Sequence, residues 1–263
     1  LAVDISKYGN NGTIHGATWT TGKFGSALQF DGVDDYVEVS DAPSLDATDE
    51  ITIDSWIKGG ASGSNIIVMK SDRVNNKVNY EHNLKDHFLE FAYQNPDGTW
   101  VYLQDDTTEI STTSWYYLTS VFDNGMIRLF VNGQEVKSST DNPSLLTNNG
   151  KLYIGAGQYP TGSIQYFFNG TIDEVRIYNR ALSAEEIKMH YLSEFQKYNS
   201  TQYRFYNNVT DLTDGTYTYY GWMNDTAGNS GESEIRSLTV DTTPPAISIT
   251  YPTSNSVKNN YII

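Results

Sequence analysis

The chain has 263 residues, with 32 acidic against 17 basic side chains, a formal net charge of −15 and no cysteine. The missing thiols exclude disulfides, thiolate metal sites and a cysteine nucleophile, and the acidic balance opposes nucleic acid and anionic membranes while suiting calcium. No run approaches the about 18 apolar residues of a membrane span, no basic-then-apolar leader opens the sequence, and the length predicts one large domain plus a small one.

Residues 1–180 are short alternating segments punctuated by Gly, Asn and Asp, the texture of an antiparallel β-sandwich. Ala27–Phe30 runs through Asp31-Gly32 into Tyr36–Val39, which predicts a hairpin. Ile51, Ile53, Ser55 and Ile57 share one face of the next strand, and Thr52, Asp54 and Trp56 the other. A meander follows over Trp115–Phe122, Met126–Val131 and Gln134–Lys137, its turns at Asn124-Gly125 and Asn132-Gly133 taking the positive φ of tight primed turns. Residues 151–155 and 172–178 add two strands. A helix is expected over 183–198, with Ser183 and Glu186 as a capping box, Leu182 and Ile187 as a staple, and Ile187, Tyr191, Phe195 and Tyr198 as its apolar stripe. Tyr-rich strands follow at 202–209, 215–223 and 234–240, then a stiff linker at Asp241–Pro245 and the start of another strand at Ile247–Tyr251. The expected division is a sandwich over 1–182, a connecting helix over 183–198, a partial β-domain over 199–241, and a linker with the first strand of a further domain over 242–263.

Several blocks occur in a telling order: Asn10-Asn11-Gly12, Gly22-Lys23-Phe24-Gly25 running to Asp31-Gly32-Val33-Asp34-Asp35-Tyr36-Val37, the Trp115 meander, Ile154-Gly155, and Phe168-Asn169-Gly170-Thr171-Ile172-Asp173-Glu174-Val175-Arg176-Ile177-Tyr178. Together they resemble laminin-G-like domains of the concanavalin A-like superfamily over about residues 1–195. Leu212–Tyr219, Asn224–Asn229 and the Asp241–Pro245 linker are similar to the last strands of immunoglobulin-like repeats in large prokaryotic surface proteins. The resemblance implies an all-β fold: an antiparallel jelly-roll sandwich with one short helix, plus a small immunoglobulin-like β region. Laminin-G-like modules of this sort usually begin with a strand before the position of Leu1, and the immunoglobulin-like portion holds only three strands. Both ends therefore read as cuts within longer domains, or as open sheet edges filled by a neighbouring subunit with Ala246–Tyr251 as donor strand. The same resemblance implies a calcium ion near the rim, held by Asp4, Asn10 and Asp173; Asp31, Asp34 and Asp35 compete for that role but read first as turn residues.

Of the four histidines, none forms a metal pair at helical spacing, and His82 and His87 lie in a polar stretch that reads as surface. The paired acids that glycanases of this superfamily carry along one strand are missing, and Asp54 stands alone on its strand, so no catalytic residue is expected. Trp19, Trp100 and Tyr159 fall in expected loops and could stack on sugars. Sequons at Asn11, Asn169, Asn199, Asn208 and Asn224 fit an exported glycoprotein. The reading is a non-enzymatic extracellular module for adhesion or surface structure, stabilised by calcium and binding glycans or cell-surface proteins, with no nucleic acid and no membrane insertion. Its alternatives are a carbohydrate-binding accessory module of a secreted hydrolase and a self-assembling filament or surface-layer subunit using strand exchange.

Overall fold

Period-two alternation makes strands with one apolar face, and such strands must pair into sheets that stack. The computed structural model describes residues 1–140, 142–197, 203–207, 209, 212–224 and 229–244. Two compact units are present, Leu1–Asn207 and Asn208–Ile263. In unit 1 the chain runs through β1 (Gly12–His15), β2 (Thr18–Thr21), β3 (Ser26–Asp31), β4 (Tyr36–Val39), β5 (Glu50–Gly59) and β6 (Ser64–Asp72). It continues through β7 (Lys77–Lys85), β8 (Phe88–Gln94), β9 (Trp100–Gln104), β10 (Tyr116–Asp123), β11 (Met126–Val131) and β12 (Gln134–Ser139). Last come β13 (Lys151–Ile154), β14 (Gly157–Gln158), β15 (Ile164–Gln165), β16 (Asn169–Tyr178), helix α1 (Ala184–Leu192), β17 (Ser193–Lys197) and β18 (Tyr203–Asn207).

Two seven-stranded antiparallel sheets stack face to face, the first in the order β1-β4-β13-β6-β7-β8-β9 and the second β12-β11-β10-β5-β16-β3-β2. Their shared core includes Phe30, Ile53, Tyr80, Phe91, Phe122 and Leu129, all fully buried. Each such side chain contributes about 1.5–3 kcal/mol by leaving water. The meander is β10-β11-β12, with Asn124 and Asn132 at positive φ before their glycines.

Three sequence expectations are corrected. Segments 27–30 and 36–39 do not form a hairpin: β3 pairs with β2 and β16 in the second sheet, whereas β4 pairs with β1 and β13 in the first. The Asp31–Asp35 turn carries the chain across the sandwich, because Phe30 and Val37 both have to face the core. The helix ends at Leu192 rather than 198, and Phe195 falls in β17, which pairs with β18; Tyr198 lies outside the described residues. The capping box at Ser183 and Glu186 is formed. Leu182 and Ile187 are buried over Trp56, Tyr117 and Phe130, so the helix covers the outer face of the second sheet. Within unit 2 the described residues form two two-stranded sheets, β19 (Gly215–Tyr219) with β22 (Arg236–Val240) and β20 (Trp222–Asn224) with β21 (Ser230–Glu232). The expected strand at Ile247–Tyr251 lies outside the described residues.

The third correction is His82, which is not a surface residue but fully buried between the sheets. It shares the core-facing side of β7 with Tyr80 and Leu84, while its polar neighbours Glu81 and Asn83 point the other way. Its Nδ1 lies 2.8 Å from Ser120 Oγ and its Nε2 3.4 Å from Ser55 Oγ, so both ring nitrogens find hydroxyls of the opposite sheet. Burial pushes its pKa down to about 3, from 6.5. The unfolded chain therefore binds a proton near pH 6.5 that the folded chain refuses, and this group's contribution is lost as pH falls from about 6.5 towards 3, by up to about 1.4 kcal/mol per pH unit. Thermal melts from neutral to mildly acidic pH are expected to fall more steeply in the native protein than in His82→Gln; equal slopes would exclude the effect.

Candidate functional site

The outer face of β7, β8 and β9 collects polar and aromatic groups. Asn83 pairs with Glu90 and Glu90 with Gln104; Glu81 pairs with Ala92 and Ala92 with Tyr102. The fully buried Asn83 donates through Nδ2 to Glu81 Oε1 at 2.6 Å and to Glu90 Oε1 at 3.2 Å, so a single amide joins two carboxylates. Burial pushes the Glu81 carboxyl up to about 7 and the Glu90 charge adds to this, while the Asn83 hydrogen bond and the Arg73 and Lys85 cations oppose it. Burial raises Glu90 as well. Two adjacent acids whose pKa burial raises thus share one amide donor, and Glu81, pushed up to about 7, changes protonation near neutral pH.

Aromatic rings border this floor. Trp100 and Tyr102 stand exposed on β9, Tyr102 at 70%. The Arg73 guanidinium lies 5.2 Å from the Trp100 ring, and its backbone N–H donates to Gln158 Oε1 at 2.9 Å, tying β9 to the β14–β15 hairpin. Tyr159 and Tyr166 flank that hairpin with ring centroids 6.1 Å apart. Tyr166 holds a φ of +58°, strained for a bulky residue, and its carbonyl accepts the Ile66 N–H at 3.1 Å. Exposed rings around hydrogen-bonding groups offer stacking and hydroxyl recognition to a saccharide.

Trp100 and Tyr159, two of the three ring residues singled out from sequence, thus share one face. Trp19 does not: it lies on β2, at a groove of about 740 Å³ bordered by core residues such as Phe30 and Val37. Asp4, Asn10 and Asp173 line the same groove, where Asp4 and Asn10 are joined by a hydrogen bond and Asp173 has partners of its own. Asp4 accepts from the backbones of Ser6 at 2.8 Å and Asn10 at 2.7 Å, which outweigh burial and lower its pKa. The Asn10 amide donates to Ser44 Oγ at 3.1 Å. Asp173 accepts from the backbones of Phe24 at 3.0 Å and Glu174 at 2.9 Å, and burial pushes it up to about 6. Among the described residues, Asp31, Asp34 and Asp35 bring their carboxylate oxygens within 4.8 Å of one another.

Asp54 is buried, 3.6 Å from Arg176 Nη1 and 3.4 Å from His190 Nδ1. The sequon residues Asn11 and Asn169 are exposed, Asn224 ends β20, and Asn199 and Asn208 lie outside the described residues. Sequence reading missed Arg73, Glu81, Asn83, Glu90, Tyr102 and Tyr166. For Glu81 and Asn83 the signal was present as period two, since residues alternating with Tyr80, His82 and Leu84 must face outward.

The two stacked seven-stranded antiparallel sheets define a jelly-roll β-sandwich. The chain belongs to the concanavalin A-like lectin/glucanases superfamily, whose family model matches residues 31–188. The binding domain of a paraclostridial mosquitocidal protein is similar in fold, with a TM-score of 0.59 at 16% identity over 88% of this chain. Domain 4 of an extracellular arabinanase from Geobacillus stearothermophilus, in complex with arabinotriose, has a TM-score of 0.54 at 22% identity, over 68% of this chain and 86% of that domain. The binding domain of botulinum neurotoxin serotype G follows at 0.55 and 13% identity, over 72% of this chain. The chain spans 60% of the mosquitocidal domain and 47% of the neurotoxin domain. At these identities the likeness is one of fold. No curated protein matches the sequence. No helix among the described residues is long and apolar enough to cross a membrane.

The raised carboxyl of Glu81 has a measurable sign. Its contribution to stability is fully present below its unfolded pKa of about 4.5 and is lost as pH rises through about 7. Glu81→Gln is expected to remove that decline, read as a flatter melting temperature between pH 5 and 8 at roughly neutral values; an unchanged profile would show that Glu81 titrates normally.

Proposed function

We propose that unit 1 is a non-catalytic glycan-recognition module of a secreted or surface protein, working in adhesion, with the outer face of β7–β9 as its ligand surface. The observation that carries this reading is the exposed Trp100, Tyr102, Tyr159 and Tyr166 rings set around the Glu81–Asn83–Glu90 floor. Rings supply flat apolar area to a pyranose or furanose face, and the floor accepts hydrogen bonds from its hydroxyls. The arabinanase domain bound to arabinotriose supports recognition of neutral saccharides, and also favours a second reading as an accessory module of a secreted hydrolase. Calcium belongs to the proposal as a stabilising ion, and Asp31, Asp34 and Asp35 are the residues that would hold it, being the convergent oxygen donors.

A glycan array should return neutral oligosaccharides. Trp100→Ala and Tyr102→Ala should each weaken the best of them by about 2- to 10-fold in calorimetry, the worth of one ring contact. Unchanged affinity in both variants would remove this face from the reading. Calcium is expected to raise the melting temperature relative to chelator, and Asp34→Asn to abolish that rise; no shift in the native protein would discard the ion.

A further inference from the structure

The opposite side of the sandwich carries a second, chemically different cleft. Strand register sets Thr18 opposite Gln29, Gln29 opposite Thr171, and Thr171 opposite Lys58, a polar row across four adjacent strands of the second sheet. Tyr116 pairs with Ile57, so Trp115 stands at the Lys58 end of that row. The row spans three strand spacings, about 14 Å. A cleft of about 590 Å³ opens over it, lined by Thr20, Gln29, Lys58, Trp115 and Thr171 together with glycines.

The glycines make the cleft. Gly59 and Gly170 face each other across β5 and β16 at φ +127° and +148°. A Cβ on Gly59 would collide with the Asn169 carbonyl, and one on Gly170 with the Lys58 carbonyl. Neither position can hold a side chain, so this end of the cleft presents bare backbone. Thr171 is buried and donates to Gln29 Oε1 at 2.7 Å, which orients the Gln29 amide. Lys58 is the one charged residue of the lining and is exposed, with no ion pair among the described residues. In a chain of net charge −15, an unneutralised lysine between hydroxyls, an amide and an indole selects an anionic group on a hydroxylated ligand.

We propose that this cleft is a second saccharide site, specific for acidic oligosaccharides, with Lys58 on a carboxylate, Trp115 against a sugar ring, and Gln29 and the threonines on hydroxyls. It is independent of the β7–β9 face, and a chain engaging both would bridge two glycans.

The test is calorimetric titration of the 263-residue chain with tri-galacturonate and, in parallel, neutral maltotriose. Tri-galacturonate should bind and weaken as salt rises; Lys58→Gln, at an exposed position and with an unchanged melting temperature, should weaken it about tenfold, and Gln29→Ala should weaken it as well. Absence of tri-galacturonate binding, equal binding of maltotriose that survives Trp100→Ala, or indifference to Lys58→Gln would each overturn the proposal. Loss of tri-galacturonate binding in Trp100→Ala would assign the ligand to the other face and overturn it equally. A neutral glycan lost only in Trp100→Ala reports on the first site alone, so either site can fail without the other.

Discussion

The inner faces of two seven-stranded sheets bury each other, and every other placement in unit 1 follows from that contact. Once Ile53, Tyr80, Phe91 and Leu129 must face inward, the period of two along each strand sends their neighbours outward. Glu81 and Asn83 lie on the outer face of β7 because Tyr80, His82 and Leu84 are committed to the core. Lys58 and Thr171 reach the opposite surface because Ile57 and Ile172 are committed likewise.

The same constraint separates rigid polar groups from adaptable ones. His82 is enclosed with Ser55 and Ser120, where both its nitrogens have hydroxyl neighbours and its charged form is excluded. Lys70 is equally buried, and its ammonium donates to Asp41 at 2.6 Å and to the carbonyls of Asn148 and Gly150, which pins the 148–150 loop to β6. Glu81 and Glu90 share one amide, and burial raises both carboxyls, Glu81 to about 7.

The two sides of the sandwich therefore differ in chemistry although they share a backbone architecture. The β7–β9 face joins acids to exposed rings, whereas the cleft over β16 joins a lone cation to hydroxyls and a half-buried indole. The helix takes up another part of the second sheet, where Trp56 stacks on Tyr191 at 5.6 Å between centroids. What remains uncovered on that sheet is the polar end, and this is where the paired glycines open it.

Local patterns in the sequence were sufficient for features that depend on neighbours in the chain. Alternation assigned the faces of β5, Asn-Gly placed the two turns of the meander, and Ser183 with Glu186 placed the helix start, because each is decided by backbone geometry within a few residues. The helix end was not legible, since Phe195 continues an apolar stripe yet is taken by pairing between β17 and β18. The Asp31–Asp35 turn read as a hairpin, since a turn sequence does not say whether its strands pair or cross to opposite sheets. Trp100 and Tyr159 were named without a reason to join them; the sheet order brings them together through Arg73, as it brings Glu81 to Glu90 and Lys58 to Thr171. Residue types and local turns are properties of the chain, but the convergence of distant side chains exists only after long-range strand pairing sets the register, and that pairing is decided by burial of the whole core.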